Sequence, residues 1–168
     1  MKFHLRLLTS LLSDIHADLS RPHAFAAERV GFLTCGAAQI ESENLLLLGE
    51  TWHVIDDENY VDDPTAGATI GGRAFRNVLQ LAFREPTCIL HVHRHDHRGR
   101  PRFSRTDERS MCEFVPGFFN SCRTRPHGAL VLSEDSGAGA IWLGAELGPQ
   151  VLNRIEIVGV PLRRWRGS

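Results

Sequence analysis

The apolar residues of this chain keep changing period, from that of a strand to that of a helix and back, and no linker interrupts the alternation. Leu7, Leu8, Leu11, Leu12, Ile15 and Leu19 recur at helical spacing. That predicts a short strand over residues 2–7 and a helix over 10–19, with Thr9 or Ser10 as cap and Arg21-Pro22 as stop. Val30–Ile40 and Leu45–Ile55 read as two strands joined through Glu41-Ser42-Glu43-Asn44 in a hairpin. Arg73–Arg84 returns to helical period through Phe75, Val78, Leu79, Ala82 and Phe83, and Thr87–Val92 reads as a short buried strand. Ser104 opens a further helix running toward Phe118–Cys122. Ala129–Leu132 and Ala140–Leu143 form a hairpin, Arg154–Val160 is a last strand, and Pro161–Ser168 is a basic tail. Elements in this order predict one α/β domain over residues 1–168, a mixed β-sheet flanked by helices.

A length of 168 residues supports one domain with a real core. Net charge is −1, so no global electrostatic case exists for nucleic acid or an anionic membrane. No run approaches the ~20 apolar residues of a membrane span. The N-terminus superficially resembles a signal peptide, but Asp14, His16 and Asp18 interrupt its apolar stretch. Cys35, Cys88, Cys112 and Cys122 show no C-x-x-C pair, which argues against a cysteine-based zinc knuckle. A soluble protein in a reducing cytoplasm is the expectation. The acidic, then Gly-rich stretch from Asp56 to Gly72 is expected to be a solvated loop rather than a cation site.

The stretch that carries chemistry is His91-Val92-His93-Arg94-His95-Asp96-His97, followed by Ser104-Arg105-Thr106-Asp107. Histidines at spacing two share one face of an extended segment, so two imidazoles can meet one cation. A catalytic zinc wants three protein ligands of N and O type and an open position for water. Two of these histidines and Asp107 meet that need. Taken alone, a His-x-His in a loop is common polar decoration, and Ser104-x-x-Asp107 is a plain helix-capping signal. Their order and closeness, together with Glu28 ahead of the first hairpin, give the combination its meaning.

Together these residues resemble the JAMM (JAB/MPN) metalloprotease family. Its pattern is Glu-x-x-Gly-x-Leu, then His-x-His, a spacer, and Ser-x-x-Asp. This chain offers Glu28-Arg29-Val30-Gly31-Phe32-Leu33, the histidine cluster and Ser104-Arg105-Thr106-Asp107 in that order. The resemblance implies the JAB/MPN (cytidine-deaminase-like) fold and one Zn²⁺ held by two histidines and Asp107. It also implies Glu28 as general base and then acid, and Ser104 as an oxyanion stabiliser. The histidine register stays open. His93/His95 leaves eight residues before Ser104, one more than the family spacer; His91/His93 leaves ten, and His95/His97 leaves six. The first is preferred because it needs the smallest insertion. Asp96 stands where the family has proline, and Gly36 stands one place beyond the expected glycine.

The chain looks similar to small stand-alone bacterial members. That implies a peptidase that removes or matures a ubiquitin-like protein at its C-terminus, with activating or conjugating enzymes of the same system as further partners. Two alternatives are a RadC-like nucleic-acid-associated metalloprotein and a non-catalytic scaffold. The local excess of Arg94, Arg98, Arg100, Arg102, Arg105 and Arg109 motivates the former, although only Phe103 offers a stacking surface among them.

Overall fold

A computed structural model describes the chain apart from His23, Phe25, Ser42, Pro64, Thr65, Ala66 and Ser168, and apart from the side chain of Glu41. Strand β1 (Lys2–Leu8) alternates as expected and buries Phe3, Leu5 and Leu7 on one face. It runs without a break into helix α1 (Thr9–Leu19), so Leu8 stands at the N-cap and no side chain among the described residues caps the helix. Thr9, expected as a cap, instead donates its hydroxyl to the Val158 carbonyl at 3.2 Å. Strands β2 (Val30–Glu41) and β3 (Asn44–His53) form the expected antiparallel hairpin; Ser42 of its turn lies outside the described residues, and Ile55 lies beyond β3.

The segment read as a solvated loop is ordered against the body of the protein. A 3₁₀ turn at Asp57–Asn59 leads into a small hairpin of β4 (Tyr60–Val61) and β5 (Thr69–Ile70). Two anchors account for this. The Asp57 carboxylate pairs at 2.7 Å with the guanidinium of Arg29, which is buried. The Tyr60 hydroxyl accepts from the Val30 N–H and donates to the Val30 carbonyl, each at 3.0 Å. Pro64, part of the same stretch, lies outside the described residues.

Next come α2 (Gly72–Arg84), β6 (Cys88–Arg94), α3 (Arg105–Phe118), β7 (His127–Leu132), β8 (Gly137–Trp142), β9 (Gln150–Val158) and β10 (Arg163–Arg166). The strands pair in the order β1-β3-β2-β6-β7-β8-β9, and β9 pairs back onto β1 in parallel. Among the described residues the molecule is therefore a mixed α/β domain with three α-helices, and its expected mixed sheet closes on itself as a seven-stranded barrel. Closure is marked by Glu156 on β9, whose buried carboxylate lies 2.7 Å from Arg6, its register partner on β1. Within the expected basic tail, Arg163–Arg166 form strand β10, antiparallel to β9, with Trp165 buried. A single inward residue between arginines carries too little apolar signal to reveal a strand.

The closed sheet divides the core in two. Inside the barrel lie Leu5, Leu33, Leu47, Leu90, Leu130 and Ile155, packed with Leu12 and Ile15 of α1. Outside it, Phe32, Ile89 and Trp142 pack with Val78 of α2 and Val115 and Phe118 of α3. Alternation along β6 places Leu90 and Val92 inside and sends His91 and His93 outward, toward α3.

Candidate metal centre

Three separate stretches of chain meet on this outer surface. β6 extends two residues past the expected Val92, so His93 is still in the strand and His95 follows its end. The His95 N–H donates to the Leu132 carbonyl at 2.9 Å, which fixes the strand exit. Ser104 caps α3 through a reciprocal capping box: its hydroxyl oxygen accepts from the Asp107 N–H at 3.1 Å, and Asp107 Oδ2 accepts from the Ser104 N–H at 2.7 Å. That box aims the Asp107 carboxylate at the strand end. Its Oδ2 lies 3.5 Å from His93 Nε2 and 3.7 Å from His95 Nε2. Glu28 arrives from the segment before β2, and a ligand atom from each of Glu28, His93 and His95 falls within 4.8 Å of the others.

These distances suit a shared cation better than direct contact. The buried His93 Nε2 has no hydrogen-bond partner among the described residues. A tetrahedral ion with bonds of about 2.0–2.2 Å separates its ligand atoms by roughly 3.3–3.6 Å. A buried imidazole nitrogen this far from a carboxylate oxygen costs free energy unless something sits between them. Glu28, His93 and His95 thus form a group that can hold a metal ion, and Asp107 adjoins two of its members.

The electrostatics favour the ligating forms. Burial lowers the His95 pKa, so its ring is neutral near pH 7. Burial alone would raise the Asp107 carboxyl, but the facing His93 and the Ser104 N–H hold it well below the usual carboxylate range. Burial pushes Glu28 the other way, up from its ordinary value, with the nearby His93 opposing. One acid is kept ionised while the other is moved toward proton uptake.

The remaining sequence candidates fall in distinct places. His91 shares the outward face but lies one step deeper, its ring 4.6 Å from that of Phe114 and 5.6 Å from that of Phe32. Burial there lowers its pKa to about 3. It floors a cavity of about 300 Å³ whose walls include Glu28, His93, Asp107, Phe75, Met111 and Phe114. His97 is exposed, its Nδ1 beside the Arg98 carbonyl. Asp96, open to a role behind a ligand imidazole, is turned outward and pairs with Arg94 at 2.7 Å. Gly31 lies beneath Trp52, where a side chain would overlap the indole, and Leu33 is wholly buried. The apolar members of the Glu-x-x-Gly-x-Leu pattern thus have packing reasons of their own.

Sequence reasoning missed Gly67 and Tyr60. The Gly67 carbonyl accepts from the Ala27 and Glu28 N–H groups at 2.8 and 3.0 Å, and a methyl at Gly67 would overlap Glu28 Oε1. Tyr60 is the chain's single tyrosine, and its place inside an acidic stretch was the available signal.

No family model matches the sequence. No curated protein matches it either. Among solved structures, the N-terminal domain of STIL from Trichoplax adhaerens is similar over 82% of this chain, at 9% sequence identity and a TM-score of 0.40. The chain spans 40% of that structure's length. A likeness of that size carries no statement about activity. Among the described residues, no helix is long and apolar enough to cross a membrane.

Proposed function

We propose that this chain is a zinc-dependent hydrolase of the JAMM type, with His93, His95 and Asp107 as metal ligands and Glu28 as the proton-transferring base. The observation that carries the reading is convergence of three separate segments: ligand atoms of Glu28, His93 and His95 fall within 4.8 Å of one another, and Asp107 Oδ2 lies 3.5 and 3.7 Å from the two imidazoles. Two imidazoles and a carboxylate are the donor set of a catalytic zinc with an open position. His91 is then a residue of the cavity floor rather than a ligand.

Zinc held there supplies a Lewis acid that polarises an amide carbonyl and acidifies water. Glu28 takes the proton of the attacking water as its oxygen bonds to the carbonyl carbon, then delivers a proton to the nitrogen as the carbon–nitrogen bond breaks. A raised pKa suits a group that must both accept and return a proton. Ser104 accepts from the Asp107 N–H, which leaves its hydroxyl proton free to donate to the developing oxyanion. Asp107, fixed by the Ser104 N–H, keeps its orientation and its negative charge. The substrate class we propose is the C-terminal segment of a ubiquitin-like protein, extended or conjugated.

Metal analysis of the purified protein and cleavage of a ubiquitin-like fusion test this directly. About one zinc per chain is expected, lost in D107N and H93A. Cleavage should disappear in E28Q, which keeps its zinc. A protein that binds no zinc, or E28Q with undiminished cleavage, ends the reading.

A further inference from the structure

A second groove runs beside the metal site, and its charge is opposite to that of the site's own acidic wall. It opens where the β8–β9 ladder stops, since those strands pair only at Ala140↔Val151 and Ile141↔Gln150. Its volume is about 370 Å³. Phe103 and Met111 stand in the walls of both this groove and the metal-site cavity, so the two are neighbours across a single apolar ridge. An extended polypeptide lying in the groove therefore continues across that ridge to the metal ligands.

The groove carries two arginines, Arg100 and Arg102, and one carboxylate, Glu108. Arg98, just before them, is occupied by Glu134 and Asp135. By contrast, Arg100 and Arg102 hold no ion pair or side-chain hydrogen bond among the described residues, and the same is true of Arg105 and Arg109 on α3. Unpaired guanidiniums beside a groove with apolar walls are suited to carboxylates presented on an extended chain. Aromatic surface for base stacking is limited to Phe103.

We propose that this groove binds an acidic segment of the protein substrate, adjoining the bond brought to the metal site, with Arg100 and Arg102 as its recognition residues. The proposal rests on the hydrolase reading for its placement of the scissile bond, but the binding it claims is measurable without turnover. A basic segment is disfavoured there by the same two charges.

The test uses the full, zinc-loaded chain and two short fluorescein-labelled peptides of equal length, one of Asp, Glu and Gly and one of Lys, Arg and Gly. Anisotropy titrations should show binding of the acidic peptide, weakening as salt rises. R100E/R102E should lose roughly tenfold or more in affinity while keeping its zinc and its melting temperature, and R100K/R102K should retain most of it. Equal affinity for both peptides, or unchanged binding in R100E/R102E, overturns the proposal. So does a single-stranded oligonucleotide that binds as tightly as the acidic peptide and is lost in the same variant, which makes the surface a phosphate site. Binding of the acidic peptide by a chain that cleaves nothing sinks the hydrolase and spares the groove. Cleavage of a fusion by a chain indifferent to peptide charge does the reverse.

Discussion

Glu28 owes its position to a residue with no side chain. Two backbone N–H groups, its own and that of Ala27, hang from the Gly67 carbonyl, and the space a Gly67 side chain would fill is taken by the Glu28 carboxylate. Because the obstructed atom is the free end of a flexible side chain, G67A should move Glu28 without disturbing the fold. Hydrolysis is expected to fall by about 10²-fold or more, within the range that general-base catalysis contributes. Zinc content and melting temperature should stay near those of the unsubstituted chain, and a fully active G67A would show that Glu28 works from elsewhere. The sequence shows Glu28, the histidine cluster and Asp107 as a set because their spacing resembles a known pattern, and it leaves the histidine pair open between His93/His95, His91/His93 and His95/His97. It cannot show Gly67, whose importance lies in a contact across 39 positions and leaves no mark on local composition.

At the scale of an element, α3 joins stability to chemistry through its first turn. Ser104 closes the capping box, and the hydrolase proposal gives its hydroxyl a second role as oxyanion donor. These roles separate in two variants. S104A should cost about 1 kcal/mol of stability through the lost cap, whereas S104G should cost only a few tenths. Both should lose about 10²–10³-fold in turnover, since both lack the hydroxyl. Turnover that follows stability rather than hydroxyl content would assign Ser104 to the cap alone. Elements with strong apolar period, such as α2 and β6, are legible in advance, although β6 runs two residues further than its apolar run suggests. Strand β10 is not, because Arg163, Arg164 and Arg166 surround its one buried residue. W165A should cost about 3–5 kcal/mol in chemical denaturation, with zinc stoichiometry unchanged under native conditions; a loss below 1 kcal/mol would mean that β10 packs weakly.

Across the whole molecule, a buried histidine in the outer core couples the fold to pH. His127 lies fully buried on the outer face of the barrel, accepting from the Ile89 N–H at Nδ1 and facing the Cys122 carbonyl with Nε2 at 2.8 Å. Burial depresses its pKa from 6.5 to about 4. The native state therefore holds it neutral while the unfolded chain takes up a proton, so its contribution is complete above pH 6.5 and drains away between there and pH 4. The loss is on the order of 3 kcal/mol. In H127Q the slope of unfolding free energy against pH in that window should drop by about one proton's worth, roughly 1.4 kcal/mol per unit. An unchanged slope would place the titration elsewhere. Mixed α/β character is readable from alternating periods, but closure is not. It depends on β1 finding β9 some 150 positions away, and the ion pair of Arg6 with Glu156 and the bond from the Phe3 N–H to Asn153 Oδ1 leave no periodic mark in the sequence.

That long pairing has a consequence for the order in which the molecule assembles. The candidate ligands Glu28, His93, His95 and Asp107 lie between residues 28 and 107, and the Leu132 carbonyl that fixes the strand exit at His95 follows soon after. Strand β1, by contrast, pairs along its second edge with β9, about 150 positions further on. Long loops close slowly relative to local contacts. During synthesis on the ribosome, the segment that carries the candidate ligands is thus expected to gain shape while β1 still presents one open edge, which leaves that edge exposed to mispairing in the interval.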